Sequence, residues 1–130
     1  MRKLYILIAG SRNFSDYELL KDVLKEEIYF YIADRPYFEI IEISGTAKGA
    51  DQLGAQWAKD NKYQVIEFPA DWDKYGRSAG HIRNAEMVNF IKNKEDKLAI
   101  FFWDGESRGT EGCISLCIKN NVNPIVIKYK

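Results

Sequence analysis

The stretch Leu4-Tyr5-Ile6-Leu7-Ile8-Ala9 is followed at once by Gly10-Ser11-Arg12-Asn13. A short and continuously apolar run is typical of a β-strand that is covered on both faces, as in a parallel sheet. Arg2 and Lys3 before it resemble the start of a signal peptide, but the apolar run is too short for one. We therefore predict that the chain opens with a buried strand whose end carries polar residues.

Four further apolar segments alternate with helical patterns along the chain. The predicted strands are Phe38–Ile43, Tyr63–Phe68, Lys97–Trp103 and Pro124–Lys128, and the predicted helices run from Ser15–Asp16 to about Ala33, from Ala50 to Asp60, from Gly80 to about Lys92, and from Gly109 to about Asn120. Arg35-Pro36 is predicted to break the first helix, and Pro69–Gly80 to be irregular. This alternation predicts an α/β fold: one Rossmann-like three-layer domain over residues 1–130, with a five-stranded, mainly parallel sheet.

The bulk composition narrows the function classes. Lys+Arg and Asp+Glu both number 19, and this zero net charge argues against a general nucleic-acid binder. Cys113 and Cys117 lie four residues apart on one helical face, which favours two small buried side chains over a zinc motif. Two such cysteines and the lack of a signal peptide predict a cytoplasmic protein, and no apolar run has the length of a membrane helix. We expect no metal or cofactor, since no second ligand pair for zinc is present.

Polar loops follow four of the five predicted strands. In a parallel α/β sheet, ligands bind beyond the carboxyl ends of the strands, near the point where the strand order reverses. The loops Gly10–Asn13, Ser44–Asp51, Asp71–Arg83 and Asp104–Thr110 should therefore meet at one edge. Together they predict a cleft for an anionic, nucleotide-like small molecule.

Two of these loops have the character of anion cradles. Glycines in Ser44–Asp51 and at Gly109 allow close approach of the backbone, and each loop leads into a helix whose first N–H groups attract anions. The Ser44–Asp51 loop is neither a Walker motif nor a Gly-x-Gly-x-x-Gly motif. The alternatives are a tight strand-to-helix turn for the first loop and an ordinary helix start capped by Ser107 for the second.

The stretch Gly76–Met87 concentrates Arg77, His81, Arg83 and Asn84 at the start of a helix. Arginine is well suited to bidentate contacts with phosphate or carboxylate groups, and the same applies to Arg12 after the first strand. For Arg12, a salt bridge to Asp16 or Asp51 is a competing interpretation.

The neighbouring Trp72 and Tyr75 suit stacking on a base, a lid, or simple anchoring of the loop. His81 suits contact with a base or a phosphate, or helix capping, and a lone histidine gives no support for a metal site.

The motifs Gly10-Ser11-Arg12, Ser44-Gly45-x-Ala47-x-Gly49-Ala50-Asp51, Ala70-Asp71-Trp72, Gly76-Arg77-x-Ala79-Gly80-x-x-Arg83-Asn84-x-x-Met87 and Ser107-x-Gly109-Thr110 resemble the YspA-type branch of the SLOG superfamily, which joins DprA-like and LOG-like Rossmann domains. The resemblance covers nearly the whole chain in order. It implies binding of a nucleotide or nucleotide-derived molecule, such as a nucleoside phosphate or an ADP-ribose-like compound, by a sensor or ligand-binding protein. The implied binding residues are Gly10, Ser11, Arg12, Ser44, Gly45, Thr46, Gly49, Ala50, Asp51, Asp71, Trp72, Arg77, His81, Arg83, Asn84, Ser107, Gly109 and Thr110.

The resemblance also implies two alternatives. LOG-like members hydrolyse the N-glycosidic bond of nucleoside monophosphates, and for that activity Arg83 with Asp51 or Glu111 would be catalytic. However, Cys113 stands where those enzymes carry their catalytic glutamate, and Glu111 lies two residues earlier, on another side of the helix. Asp71 and Asp104 are further candidate carboxylates. DprA-like members bind single-stranded DNA, but the zero net charge of this chain argues against that function.

The resemblance also bears on oligomeric state, since LOG-like relatives form dimers. Exposed aromatic residues such as Tyr29, Phe30 and Tyr31 would permit a homodimer here.

Overall fold

The computed structural model describes residues 1–35 and 38–130. The strands are β1 (Arg2–Gly10), β2 (Phe38–Ser44), β3 (Gln64–Glu67), β4 (Lys97–Trp103) and β5 (Pro124–Lys128), and the helices are α1 (Tyr17–Ile32), α2 (Ala50–Asp60), α3 (Trp72–Tyr75), α4 (Ala79–Ile91) and α5 (Arg108–Lys119). Within these ranges, none of the helices has both the length and the apolar character to cross a bilayer.

The five strands form one sheet in the order β3-β2-β1-β4-β5, and every pairing is parallel. The order runs outward in one direction from β1 to β3 and in the other from β4 to β5, so it reverses between β1 and β4. Gly10 at the end of β1 is in register with Phe102 of β4. The predicted α/β fold with a mainly parallel sheet is therefore confirmed.

The helices cover both faces of the sheet, which completes three layers. On one face, Leu20 and Leu24 of α1 and Trp57 of α2 pack on alternate β1 side chains from Leu4 to Ile8. On the other face, α4 and α5 pack on Leu7 and Ala9. The side chains of β1 from Leu4 to Ala9 are thus covered by helices on both faces of the sheet, which explains why this strand is continuously apolar. Cys113 and Cys117 are free and buried in the α4–α5 layer, as predicted.

The segment Pro69–Gly80, predicted to be irregular, contains helical structure instead. Helix α3 occupies Trp72–Tyr75, a 3₁₀ turn follows at Gly76–Ser78, and α4 begins at Ala79. The cause is local, because the Asp71 carboxylate accepts a hydrogen bond from the Lys74 amide at 3.1 Å and caps the first turn. Four residues are too few to display a hydrophobic period. The predicted break at Arg35-Pro36 extends into residues 36–37, outside the described ranges.

Glu42 is an exception to the apolar interior. Its side chain lies on the α2 face of β2 with no exposed surface, and neither carboxyl oxygen has a hydrogen-bond partner among residues 1–35 and 38–130. Gly54 of α2 lies directly over it, since a Cβ built there would be 3.3 Å from Glu42 Oε2. Burial, reinforced by the negative charges of Asp51 and Glu67, raises the pKa of Glu42 to about 9. The group is therefore protonated in the folded protein at neutral pH.

This buried acid predicts a pH-dependent stability. Between the ordinary value near 4.5 and the folded value near 9, unfolding releases a proton from Glu42, so stability falls as pH rises through that window. From pH 6.5 to 8.0 we expect the free energy of unfolding in urea to fall by up to about 1.4 kcal/mol per pH unit. Glu42→Gln should abolish this slope, whereas Glu39→Gln, at an exposed position of the same strand, should retain it. Equal slopes in all three proteins would show that Glu42 is ionised when folded.

Candidate functional site

A cavity of about 350 Å³ opens at the carboxyl edge of the sheet, where the strand order reverses. Its base is formed by Ala9 and Gly10 at the end of β1. Its walls come from the first turns of α4 and α5 and from Asp51 at the start of α2. This is the position at which open α/β sheets generally bind ligands, because loops from neighbouring strands diverge there.

Most of the residues predicted to bind a ligand line this cavity. The predicted residues that line it are Gly10, Arg12, Asp51, Trp72, Arg77, His81, Arg83, Asn84, Ser107, Gly109 and Thr110. They come from all four strand-end loops identified in the sequence. The structure therefore places these loops around one common space.

The other predicted binding residues lie outside the cavity lining, and several support its walls. Ser11 is buried, and its hydroxyl accepts a hydrogen bond from the Asp104 amide at 3.0 Å, which ties the β1 loop to the β4 loop. The Ser44 hydroxyl accepts from the Thr46 amide at 3.2 Å. Asp71 is occupied as the cap of α3. The remaining members, Gly45, Gly49 and Ala50, form the backbone around the start of α2.

Arg83 is held by two elements at once. It is buried on α4, where its Nε donates to Asn84 Oδ1 at 2.8 Å and its Nη1 donates to the carbonyl oxygen of Gly45. Asn84 in turn reaches the Gly109 carbonyl at the start of α5, at 3.5 Å. These contacts fix the guanidinium in the cavity wall, so little side-chain entropy remains to be lost when it meets a ligand.

The Asp51 carboxyl lies next to Gly45, as the Arg83 guanidinium does. A Cβ on Gly45 would lie 2.7 Å from Asp51 Oδ2 and 3.0 Å from Arg83 Nη1, so only a residue without a side chain leaves room for both. Burial raises the pKa of Asp51 to about 6, although the Ala47 amide, which donates to its carboxylate at 3.2 Å, and the charges of Arg83 and Arg12 oppose the rise. The carboxyl can therefore change its charge near neutral pH.

The cavity carries an excess of positive charge. Arg12, Arg77, Arg83 and Arg108 line it, and Asp51 is its one acidic residue among those described. The ion pairs within residues 1–35 and 38–130 involve Arg2 and Lys21 and none of these four arginines. The salt bridge from Arg12 to Asp16 or Asp51, considered from the sequence, is thus not formed. Unpaired guanidinium groups gathered in a concave site are suited to an anion with several oxygens.

The loop before α5 presents backbone donors to the same space. Asp104 Oδ1 accepts from the Glu106 and Ser107 amides at 2.8 Å each, and these bonds keep the pKa of Asp104 below its ordinary value. Ser107 caps α5 by accepting from the Thr110 amide at 3.4 Å. The amides of Arg108 and Gly109 belong to the first turn, where N–H groups have no acceptor within the helix and anions are favoured. The capped helix start and the anion cradle are thus compatible.

The structure adds residues that the sequence-based set lacked. Arg108, Gly112 and Cys113 line the cavity because α5 begins directly beside it. The one sequence signal for Cys113 was its match to the glutamate of LOG-like enzymes. Its hydrogen bond with Cys117 and its burial raise the pKa of the Cys113 thiol, which keeps it protonated at neutral pH. Glu111 is exposed and outside the lining, so it is not brought together with Arg83.

Trp72 and His81 lie at the cavity mouth. The Trp72 side chain is about half exposed, and its ring edge lies 3.6 Å from the position that a Gly80 Cβ would take. Tyr75 lies outside the lining, with its ring 5.1 Å from Lys74 Nζ. Among the described residues, no group of three His, Cys, Asp or Glu side chains is arranged to hold a metal ion.

The environment of Asp51 predicts a measurable titration. Carboxyl ¹³C shifts followed by NMR should place the Asp51 pKa near 6 in the wild type. Since the Arg83 charge lowers this pKa, Arg83→Ala should raise it further, whereas Arg35→Ala, remote from the cavity on the segment after α1, should leave it unchanged. A midpoint near the ordinary aspartate value of about 3.9 would contradict the burial of this carboxyl.

Comparison with known proteins identifies the family of this chain. Residues 4–75, more than half of the chain, match the model of a family described as "YspA, cpYpsA-related SLOG family". The Gene 61 protein of Mycobacterium phage D29 is 30% identical over 114 residues, which cover 84% of each protein. The matched segment runs from within β1 to the end of α3 and thus contains the loops that carry Arg12, Asp51 and Trp72. The chain therefore belongs to the YspA, cpYpsA-related SLOG family.

Proposed function

We propose that the protein binds a nucleotide or nucleotide-derived small molecule in the cavity between β1 and β4, as a sensor or ligand-binding protein. Membership of the SLOG family supports a nucleotide-related ligand. The observation that carries the proposal is the group of four arginines around one cavity, none of them paired with a described carboxylate. An anion is what would neutralise such a group, and phosphate oxygens match its bidentate geometry.

The elements of the cavity suit different parts of such a ligand. Arg83 and the amides at the start of α5 would hold a phosphate in the interior, where hydrogen bonds to charged groups are strongest. Arg77, which is exposed, would approach the same phosphate from the mouth. Trp72 offers a partly exposed indole face at the mouth, on which a base can stack. The remaining ribose would lie between them, near Asp51.

Binding should depend on the cavity arginines. We expect isothermal titration calorimetry with a panel of nucleoside monophosphates and ADP-ribose to identify at least one binder. Arg83→Ala and Arg77→Ala should each weaken it by about tenfold or more, because a charge-assisted hydrogen bond contributes roughly 1.5–3 kcal/mol.

Arg77 is the safer of the two variants because it is exposed and makes no hydrogen bond to a described residue, so its loss should not disturb folding. Arg35→Ala, outside the cavity, serves as the matched control and should bind like the wild type. Binding of no compound, or equal weakening by all three changes, would overturn the proposal.

Glycosidic hydrolysis is a second candidate because Asp51 and Arg83 both line the cavity and lie close to each other beside Gly45. Cleavage of an N-glycosidic bond builds positive charge on the ribose, and a carboxylate can stabilise that charge or activate water. Asp51 would supply this carboxylate in place of the glutamate that Cys113 replaces. The protonated Cys113 thiol cannot take either role at neutral pH.

Chromatography of reaction mixtures separates the two functions. If the protein is a hydrolase, incubation with nucleoside monophosphates should release free base, and Asp51→Asn should reduce the rate by at least about 100-fold, as expected for loss of an acid–base group. Glu106→Gln, at an exposed position outside the lining, should retain the rate. Binding without base release would exclude hydrolysis and leave the ligand-binding function.

A further inference from the structure

Tyr129 directly follows β5 and packs against the loop between β1 and α1. Its ring centroid lies 4.9 Å from that of Phe14 in an edge arrangement, and Phe14 stacks on Phe102 of β4 with centroids 4.7 Å apart. The Tyr129 amide donates to the Trp103 carbonyl at 3.3 Å, which continues the pairing of β5 with β4 by one residue. The ring and backbone of Tyr129 are thus held by contacts that do not involve its hydroxyl.

The Tyr129 hydroxyl begins a chain of hydrogen bonds that leads to Asp104. It donates to Asn13 Oδ1, and Asn13 Nδ2 donates to Asp104 Oδ2 at 3.2 Å. The Ser11 hydroxyl, which accepts from the Asp104 amide at 3.0 Å, is a second hydrogen-bond partner of the Tyr129 oxygen. Asn13 and Ser11 therefore each connect Tyr129 to Asp104.

Asp104 connects this chain of hydrogen bonds to the start of α5. Its Oδ2 accepts from Asn13, and its Oδ1 accepts from the Glu106 and Ser107 amides at 2.8 Å each. The hydroxyl of Tyr129, as a donor to Asn13 Oδ1, favours the orientation of the Asn13 amide in which Nδ2 points at Asp104. These bonds set the turn from which α5 begins.

We propose that Tyr129 is a positioning residue of the anion site at the start of α5. Its hydroxyl orients Asn13, Asn13 holds the Asp104 carboxylate, and this carboxylate holds the turn that presents the first α5 amides to the cavity. The inference rests on the proposed function for the ligand itself. Tyr129 lies outside the cavity lining, so it acts without touching the ligand. A turn that is held in advance loses less entropy on binding, so the hydroxyl contributes to affinity.

Amide hydrogen exchange of the free protein tests the positioning step without a ligand. Tyr129→Phe removes the hydroxyl and retains the ring. In this variant, exchange at Glu106 and Ser107 should be at least about threefold faster, because their acceptor is held less firmly. Tyr31→Phe is the matched control, since the Tyr31 hydroxyl donates to Asp96 Oδ1 at 2.8 Å at the opposite edge of the sheet. It should leave both exchange rates unchanged.

Calorimetry with AMP, or with ADP-ribose if the wild type binds it more tightly, tests the consequence for binding. Tyr129→Phe and Asn13→Ala should each weaken binding by at least about threefold, which is within the range for loss of one hydrogen bond. Tyr31→Phe should bind like the wild type. Because both cavity-side changes act through Asp104, the double variant Tyr129→Phe/Asn13→Ala should weaken binding by less than the product of the two single effects.

The possible results separate this inference from the proposed function. Unchanged exchange at Glu106 and Ser107 in Tyr129→Phe, or faster exchange with unchanged affinity, would overturn the positioning role and leave nucleotide binding in place. Equal loss of affinity in Tyr129→Phe and Tyr31→Phe, or single effects that multiply fully in the double variant, would also overturn it. Failure of the wild type to bind either compound would overturn the inference together with the function on which it rests.

Discussion

The contact of Gly49 with the end of β1 is the constraint on which the site depends. Gly49 has a φ of 82°, which side-chain-bearing residues rarely adopt, and a Cβ there would overlap the carbonyl oxygens of Ser11 and Arg12. The next residue, Ala50, donates its amide to the Ser11 carbonyl at 3.3 Å. These contacts set the start of α2 directly on the β1 loop. Asp51, in the first turn of α2, therefore lines the cavity together with Arg83.

The same loop is tied to β4 on its other side. The Ser11 amide donates to the Phe102 carbonyl at 2.9 Å, and the Ser11 hydroxyl accepts from the Asp104 amide. Parallel pairing brings the ends of β1 and β4 side by side, and these bonds continue the connection into the loops. The start of α5 is therefore fixed relative to the start of α2. A cavity with walls set in this way is preorganised, which reduces the entropic cost of binding.

Much of the fold could be predicted from the sequence because its signals are local. Apolar segments indicated the five strands, and Asp16 and Ser107 indicated helix starts. Helix α3 was missed because a single capped turn has no hydrophobic period. The four strand-end loops could be assigned to one edge of the sheet from topology alone. The residues that line the cavity could be predicted only in part, since the lining also depends on the strand order and on how deep each loop lies.

Particular residues show why the site could not be predicted fully from the sequence. Ser11 and Asp71 look like ligand-binding groups in the sequence, yet their side chains bond to the Asp104 and Lys74 amides of the protein itself. Arg108 and Cys113 carry little signal but line the cavity. The charge distribution was also hidden, since the net charge of the whole chain is zero while the cavity gathers four arginines against one aspartate. The net charge of a chain therefore says little about the charge of a site whose residues are brought together by the fold.

The central claim is that this edge of the sheet holds a phosphate-bearing ligand. The ligand for the test is the one of AMP, ADP-ribose and NAD that raises the melting temperature of the protein most. An NMR titration of ¹⁵N-labelled protein with this ligand tests the claim directly. The account predicts that the largest amide shift changes fall at Gly10–Arg12, at residues 45–51 and at residues 107–110. Shift changes concentrated at the opposite edge of the sheet, around Arg2 and Asp96, or no changes with any of the three compounds, would contradict it.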